Sequence, residues 1–169
     1  MTSAQGVQDI HAPHGICFGC GPANDKGLRI KSNWQADADS PAVGKMAAQR
    51  FIARFTPEQH HQAFPNVLNG GIVGALMDCH SNWCAVTALM AEQGLDEAPS
   101  CVTADFHVKL RRPCPTNIEL TVRAWPVEIA GDKVIVEADI TTPDGKVQAT
   151  CRGTFVAVPE GHPAYHRWN

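Results

Sequence analysis

One acid is set apart by its surroundings. Asp78 falls inside GGIVGALMDCHSNWCAVTALMA, a run from Gly70 to about Ala91 that is apolar on all sides. A carboxylate there costs several kcal/mol unless it is paired or opened to a solvated cleft. Ionised, it can attack an electrophilic carbon or take the proton from an attacking water, and the sequence leaves both routes open. Eight residues earlier, Asn69-Gly70-Gly71 begins the same run. Asn is a good N-cap, so backbone N–H groups of the first turn are left without helical partners. They sit at the positive end of the helix dipole and can hold an anionic oxygen, which glycine allows to approach closely. Gly70 and Asp78 lie roughly 12 Å apart at 1.5 Å per residue, too far to serve one reacting atom from a single helix.

Other residues offer binding chemistry. Lys109, Arg111 and Arg112 gather just before Pro113; such side chains grip phosphates, and a solvated strand end is the other reading. His11, His14, Cys17 and Cys20 form H-x2-H-x2-C-x2-C, a set of zinc-ligand types. A structural turn of Gly, Cys and Pro is the competing account, and with no second C-x2-C the expectation is that no metal binds. His80 is close to Asp78 in sequence, but residues i and i+2 of a helix point apart, which predicts a hydrogen-bonded core or interface histidine. Of the seven cysteines, Cys79 and Cys84 fall in the helical run and Cys101 and Cys151 in strand-like ones, so reduced, buried thiols are expected there.

The elements that must position these groups follow from periodicity. The apolar run predicts a buried helix of ~22 residues, roughly 33 Å long. Before it, Leu28–Trp34 and Met46–Phe55 read as strands, and Thr56–Asn69, with Pro57 and Pro65, as turns. After it come four segments of period two. In the first, Val102, Ala104, Phe106, Val108 and Leu110 share a face opposite Thr103, Asp105, His107, Lys109 and Arg111. The others centre on Ile118–Ala124, Val134–Ile140 and Val147–Phe155, with Gly131-Asp132 and Asp144-Gly145 as hairpin turns. Consecutive hairpins predict an antiparallel meander with one face to cover. The result is an α+β fold in which an antiparallel sheet wraps one long central helix.

The 169 residues suit one domain with a proper core. A net charge of −3 and no basic run longer than Arg111-Arg112 argue against nucleic acid as a partner. Met1 to Gln8 lacks an apolar leader core, and Ile72–Met77 is interrupted by Asp78 and His80, so neither export nor a membrane span is expected and the protein is read as cytoplasmic.

The segment HQAFPNVLNGGIVGALMD (61–78) resembles the helix start of the phenylacetyl-CoA (PaaI-like) acyl-CoA thioesterases, hotdog-fold enzymes in which HGG is followed by an acid eight residues after the first Gly. The resemblance continues in CFGCGPANDKGL (17–28), CVTADFHVKLRRPCP (101–115) and TPDGKVQATCRGTFVAVP (142–159), in the family order. Residues 1–27, rich in Gly, Pro, His and Asn, read as an irregular arm; the resemblance, which covers about 17–159, implies a hotdog thioesterase domain over 28–159, with 160–169 as a tail. It further implies hydrolysis of an acyl-CoA to an acid and free CoA without a cofactor, Asp78 serving as base or nucleophile and the Gly70-Gly71 turn as oxyanion hole. The two would be shared across a homodimer, or a dimer of dimers, with Gly from one chain and the acid from the other. Lys109, Arg111 and Arg112 would then meet CoA phosphates. Asn69 stands where the family has His. An amide about six residues before it would fall at Ala63, with Gln62 beside it as substitute or as a solvated loop residue. Thr103 matches a Ser/Thr that helps hold the nucleophilic water, although its alternation places it opposite the Val102 face. The rival functions are a non-catalytic acyl-CoA-binding protein and an enoyl-CoA hydratase; the D-x4-H spacing wanted by the latter occurs at Asp9 and His14, far from the helix. Phe64, Leu68, Met77, Trp83 and Met90 could line an acyl tunnel or simply the core.

Overall fold

The computed structural model describes residues 4–169. A short helix, α1 (Val7–His11), precedes β1 (Ser32–Ala36) and β2 (Gln49–Phe55). A small hairpin, β3 (Gln62–Phe64) with β4 (Val67–Leu68), leads into the long helix α2 (Gly70–Gln93). Four longer strands follow: β5 (Cys101–Leu110), β6 (Leu120–Ala130), β7 (Lys133–Thr141) and β8 (Val147–Ala157).

The ends of α2 are set by local chemistry. Asn69 accepts the Gly71 N–H through its side chain at 2.8 Å, and Gly94, left-handed at φ 65°, closes the last turn by donating its N–H to the Met90 carbonyl. Between them every residue from His80 to Leu89 is buried, as a helix apolar on all sides requires.

One antiparallel sheet of order β1-β2-β6-β7-β8-β5 curves round this helix, which is the hotdog arrangement. Its inner face presents Leu120, Val122 and Ala124 from β6, Val134, Val136 and Ile140 from β7, and Ala149 and Phe155 from β8, all essentially sealed from solvent. Each large side chain so buried contributes about 1.5–3 kcal/mol. The hairpins β6-β7 and β7-β8 turn at Gly131 and Gly145, both with positive φ, as expected. The meander, however, does not include β5. That strand pairs with β8 on the far edge, because Pro113 and Pro115 interrupt the ladder after Leu110 and carry the chain across. The first strand also differs from expectation. Leu28 and Ile30 are buried, yet their N–H groups bond to Phe18 and Gly19 carbonyls of the arm, so pairing begins only at Ser32.

The side of α2 away from the sheet is covered by both ends of the chain. Ala12 and Cys20 from the arm and Trp168 from the tail are buried in the same core, and the rings of Trp83 and Trp168 lie 4.5 Å apart. His80 is a satisfied core residue. Its Nδ1 meets Ser32 Oγ at 2.9 Å and its Nε2 meets the Phe51 carbonyl at 3.0 Å, while Ser32 accepts from the fully buried Gln8. Burial lowers its pKa to about 4, so the ring is neutral. Among the described residues no helix is long and apolar enough to cross a membrane.

Candidate active site

Asp78 emerges on the part of α2 that the sheet leaves half-covered. Its Oδ1 accepts a 2.7 Å hydrogen bond from Thr103 Oγ1, which leaves Oδ2 free for a second partner. Burial pushes the carboxyl above its ordinary value. The Thr103 bond opposes that rise, Cys17 adds to it, and the Arg167 guanidinium acts against it. Thr103 can reach Asp78 because β5 carries a bulge. Thr103 stands opposite Phe155 and Asp105 opposite Thr154, so Ala104 is an extra residue in the strand. The bulge shifts the alternation. Cys101 and Thr103 before it, and Phe106 and Leu110 after it, turn toward α2: a Cβ on Gly74 or Gly70 would come within 3.9 Å of Phe106 or 3.4 Å of Leu110. The single face from Val102 to Leu110 inferred from strict period two is therefore corrected, and Thr103 is not the outward residue that this pattern placed it as.

Two turns earlier, the start of α2 is held by the Asn69 N–H bonding to the His61 carbonyl and the Leu68 N–H to the Cys114 carbonyl. Asn69 takes up the Gly71 N–H and the Asn69 carbonyl accepts from Ile72 and Val73. Among the described residues the Gly70 N–H has no acceptor, and Gly70 is exposed. A cavity of about 320 Å³ opens beside it, lined by Ala63, Phe64, Val73 and Leu110 with Arg111 and Arg112 at its rim. The backbone N–H groups of both arginines donate to the Gln148 carbonyl. Arg112 also donates to the Val147 carbonyl at 2.6 Å, and both guanidinium groups remain exposed.

The other sequence candidates are dispersed. Gln62 donates to Thr116 Oγ1 at 3.3 Å, while Ala63, the slot next to it, lines the Gly70 cavity. Lys109 lies in a neighbouring cleft with Asp105, His107 and Thr150; Arg111 lines this cleft too, its Nε donating to Thr150 Oγ1 at 3.4 Å. Cys17 and Cys20 do come together, but with Cys79 of α2 rather than with His11 and His14; His11 stacks against Trp83 and His14 is exposed. Arg167, in the tail, was not a sequence candidate. It is tied to the Cys101 carbonyl at 2.5 Å and carries its charge toward Asp78; nothing in the composition of the tail announces this.

The sequence profile of the thioesterase superfamily matches residues 65–149, a span that holds Gly70, Asp78, Thr103, Arg111 and Arg112. No curated protein matches it in sequence. A thioesterase superfamily protein from Shewanella loihica PV-4 is similar at 26% identity and TM-score 0.60, over 82% of this chain and 98% of that one. A phenylacetic acid degradation-related protein from Ralstonia eutropha JMP134 shares the fold at 18% identity and TM-score 0.60, over 82% and 92% of the two chains. So does a hypothetical thioesterase protein from Streptococcus pneumoniae, solved with coenzyme A, at 15% identity and TM-score 0.56 over 75% and 89%. With its profile matched over half of its length on a sheet wrapped round one helix, the chain belongs to the thioesterase superfamily.

Proposed function

We propose that the protein is an acyl-CoA thioesterase of the PaaI-like type, acting as a homodimer or dimer of dimers. The observation that carries this reading is the pairing of two unspent groups on one apolar helix: a carboxylate held by Thr103 with one oxygen free, and the Gly70 N–H with no acceptor. In the proposed reaction Asp78 takes a proton from water, whose oxygen attacks the thioester carbon. The oxyanion that forms is received by the Gly70 N–H at the positive end of the helix. The C–S bond then breaks and CoA leaves as the thiol, taking the proton back. Direct attack by Asp78 would pass through a similar oxyanion and end in hydrolysis of an anhydride.

The dimer is supported by the open edge of the sheet. β5 is an end strand, and it exposes Phe106 and Leu110 beside Gly74 and Gly70. An apolar edge with unpaired backbone groups invites a second strand. A Cβ on Gly70 would meet nothing closer than ordinary contact within this chain, so what the glycine leaves room for is another body, substrate or partner. Arg111 and Arg112 line the cavity beside Gly70, and their exposed guanidinium groups, with Lys109 in the adjoining cleft that Arg111 also lines, suit CoA phosphates. The test is a panel of short, long and aryl acyl-CoAs. Release of free CoA supports hydrolysis, water addition to an enoyl-CoA would instead make the protein a hydratase, and binding without turnover would make it a carrier.

A further inference from the structure

We propose that Cys17, Cys20 and Cys79 form a zinc site that fastens the N-terminal arm to α2 one residue beyond Asp78. The three sulfurs, one pair from a C-x2-C turn and one from a helix more than fifty residues on, lie within 4.8 Å of one another. Cys17 and Cys79 Sγ are 3.6 Å apart. Two thiolates on a tetrahedral zinc with Zn–S of about 2.3 Å would be separated by about 3.8 Å, so this pair already has the spacing of metal ligands. All seven cysteines are free, and among the described residues the other four join no such group.

The surroundings are built for sulfur. The Gly21 N–H closes the C-x2-C turn on the Cys17 carbonyl at 2.8 Å. Trp83 Nε1–H donates to Cys20 Sγ at 3.3 Å. Such an N–H donor orients a thiolate ligand and spreads its charge. A Cβ on Gly19 would collide with Cys79 Sγ, so the glycine inside the turn is what lets the arm reach the helix. A cavity of about 210 Å³, lined by Cys17, Cys20, Trp83 and Arg167, opens onto the cluster. It leaves a fourth coordination position to water, with the Arg167 cation to offset the negative charge of a zinc bound by three thiolates. Each thiol would bind as thiolate, its proton passing to solvent.

The readouts are metal content and a spectrum, and they stand apart from thioester hydrolysis. Protein grown with zinc and purified in metal-free reducing buffer should hold about one zinc per chain by elemental mass spectrometry. Exchange with Co²⁺ should give thiolate-to-cobalt charge-transfer absorption. Cys79→Ser and Cys17→Ser should each lower zinc affinity by at least ~10-fold, whereas Cys151→Ser, outside the cluster, should not. Cys17 is partly exposed, so its variant serves where Cys79→Ser fails to fold. Wild-type protein that takes up neither zinc nor cobalt, or metal retained equally in both variants, would overturn the site.

Discussion

Thr103 Oγ1 reaches Asp78 Oδ1 at 2.7 Å only because Ala104 is one residue too many for its strand. Without the bulge Thr103 would alternate outward with Asp105, and the carboxylate would be buried with no donor from the sheet. A bulge beside a reactive group that re-aims one side chain is a recurrent device. Here it joins the edge strand to the central helix at the acid.

Thr103→Val should therefore be a selective lesion. It removes a hydrogen bond to a charged group, worth about 1.5–3 kcal/mol, and keeps the strand's shape. Steady-state kinetics on the best thioester should show kcat lower by roughly 10- to 100-fold with KM nearly unchanged, and Thr103→Ser should restore most of it. A Thr103→Val enzyme that turns over at the wild-type rate would show that the threonine only packs.

Asp78→Asn makes the sharper test of chemistry. The amide can still accept from Thr103, so fold and assembly should survive, as circular dichroism and sedimentation can check. Turnover should fall at least ~10²-fold, as for loss of a positioned base. Hydrolysis close to wild-type in this variant would remove Asp78 from the mechanism.

How much of this was legible in the residues differs by element. The helix could be read from Gly70 to about Ala91 because a run apolar on all sides calls for a helix inside a sheet, and Asn69 marks its start; that it runs on to Gln93 and closes at Gly94 came from the structure. The β6-β7-β8 hairpins could be read from Gly131 and Gly145. The bulge could not, since strict alternation contains no signal for an inserted residue. Nor could the meeting of Cys79 with Cys17 and Cys20: Cys79 in a helix looks like any small core residue, and only the path of the arm brings the three together. Arg167 was hidden for the same reason, its place fixed by Trp168 packing on Trp83.

Arg111 and Arg112 sit at the rim of the Gly70 cavity with their guanidinium groups exposed. If they hold CoA phosphates, Arg111→Ala and Arg112→Ala should raise KM for acyl-CoA, and the wild-type KM should rise with salt as screening grows. A pantetheine thioester lacks those phosphates, and its hydrolysis should be almost unchanged. Equal losses on both substrates would assign the arginines to the strand end, where Arg112 already bonds to the Val147 carbonyl.

The shared site makes the most demanding prediction. Gly70 is the first residue of α2, and Asn69 before it has φ −59° and ψ 132°, a conformation that the residue preceding a proline readily adopts. Proline is also well tolerated at the first helical position, where its missing N–H has no helical partner to lose. Gly70→Pro should thus fold while deleting the one amide proton proposed to receive the oxyanion, and activity should fall ~10²-fold or more, as for loss of an oxyanion donor. Asp78→Asn is inactive for the opposite reason. Because Gly70 and Asp78 are roughly 12 Å apart along one helix, a dimer that shares them gives each mixed pair one site with both halves intact and one with neither. With random exchange, an equal mixture of the two inactive variants should recover about a quarter of wild-type activity, half of the dimers being mixed and each carrying one working site of two. Sedimentation and mass measurement under native conditions can verify that heterodimers form. A fully active monomer, or verified heterodimers without rescue, would end the shared arrangement.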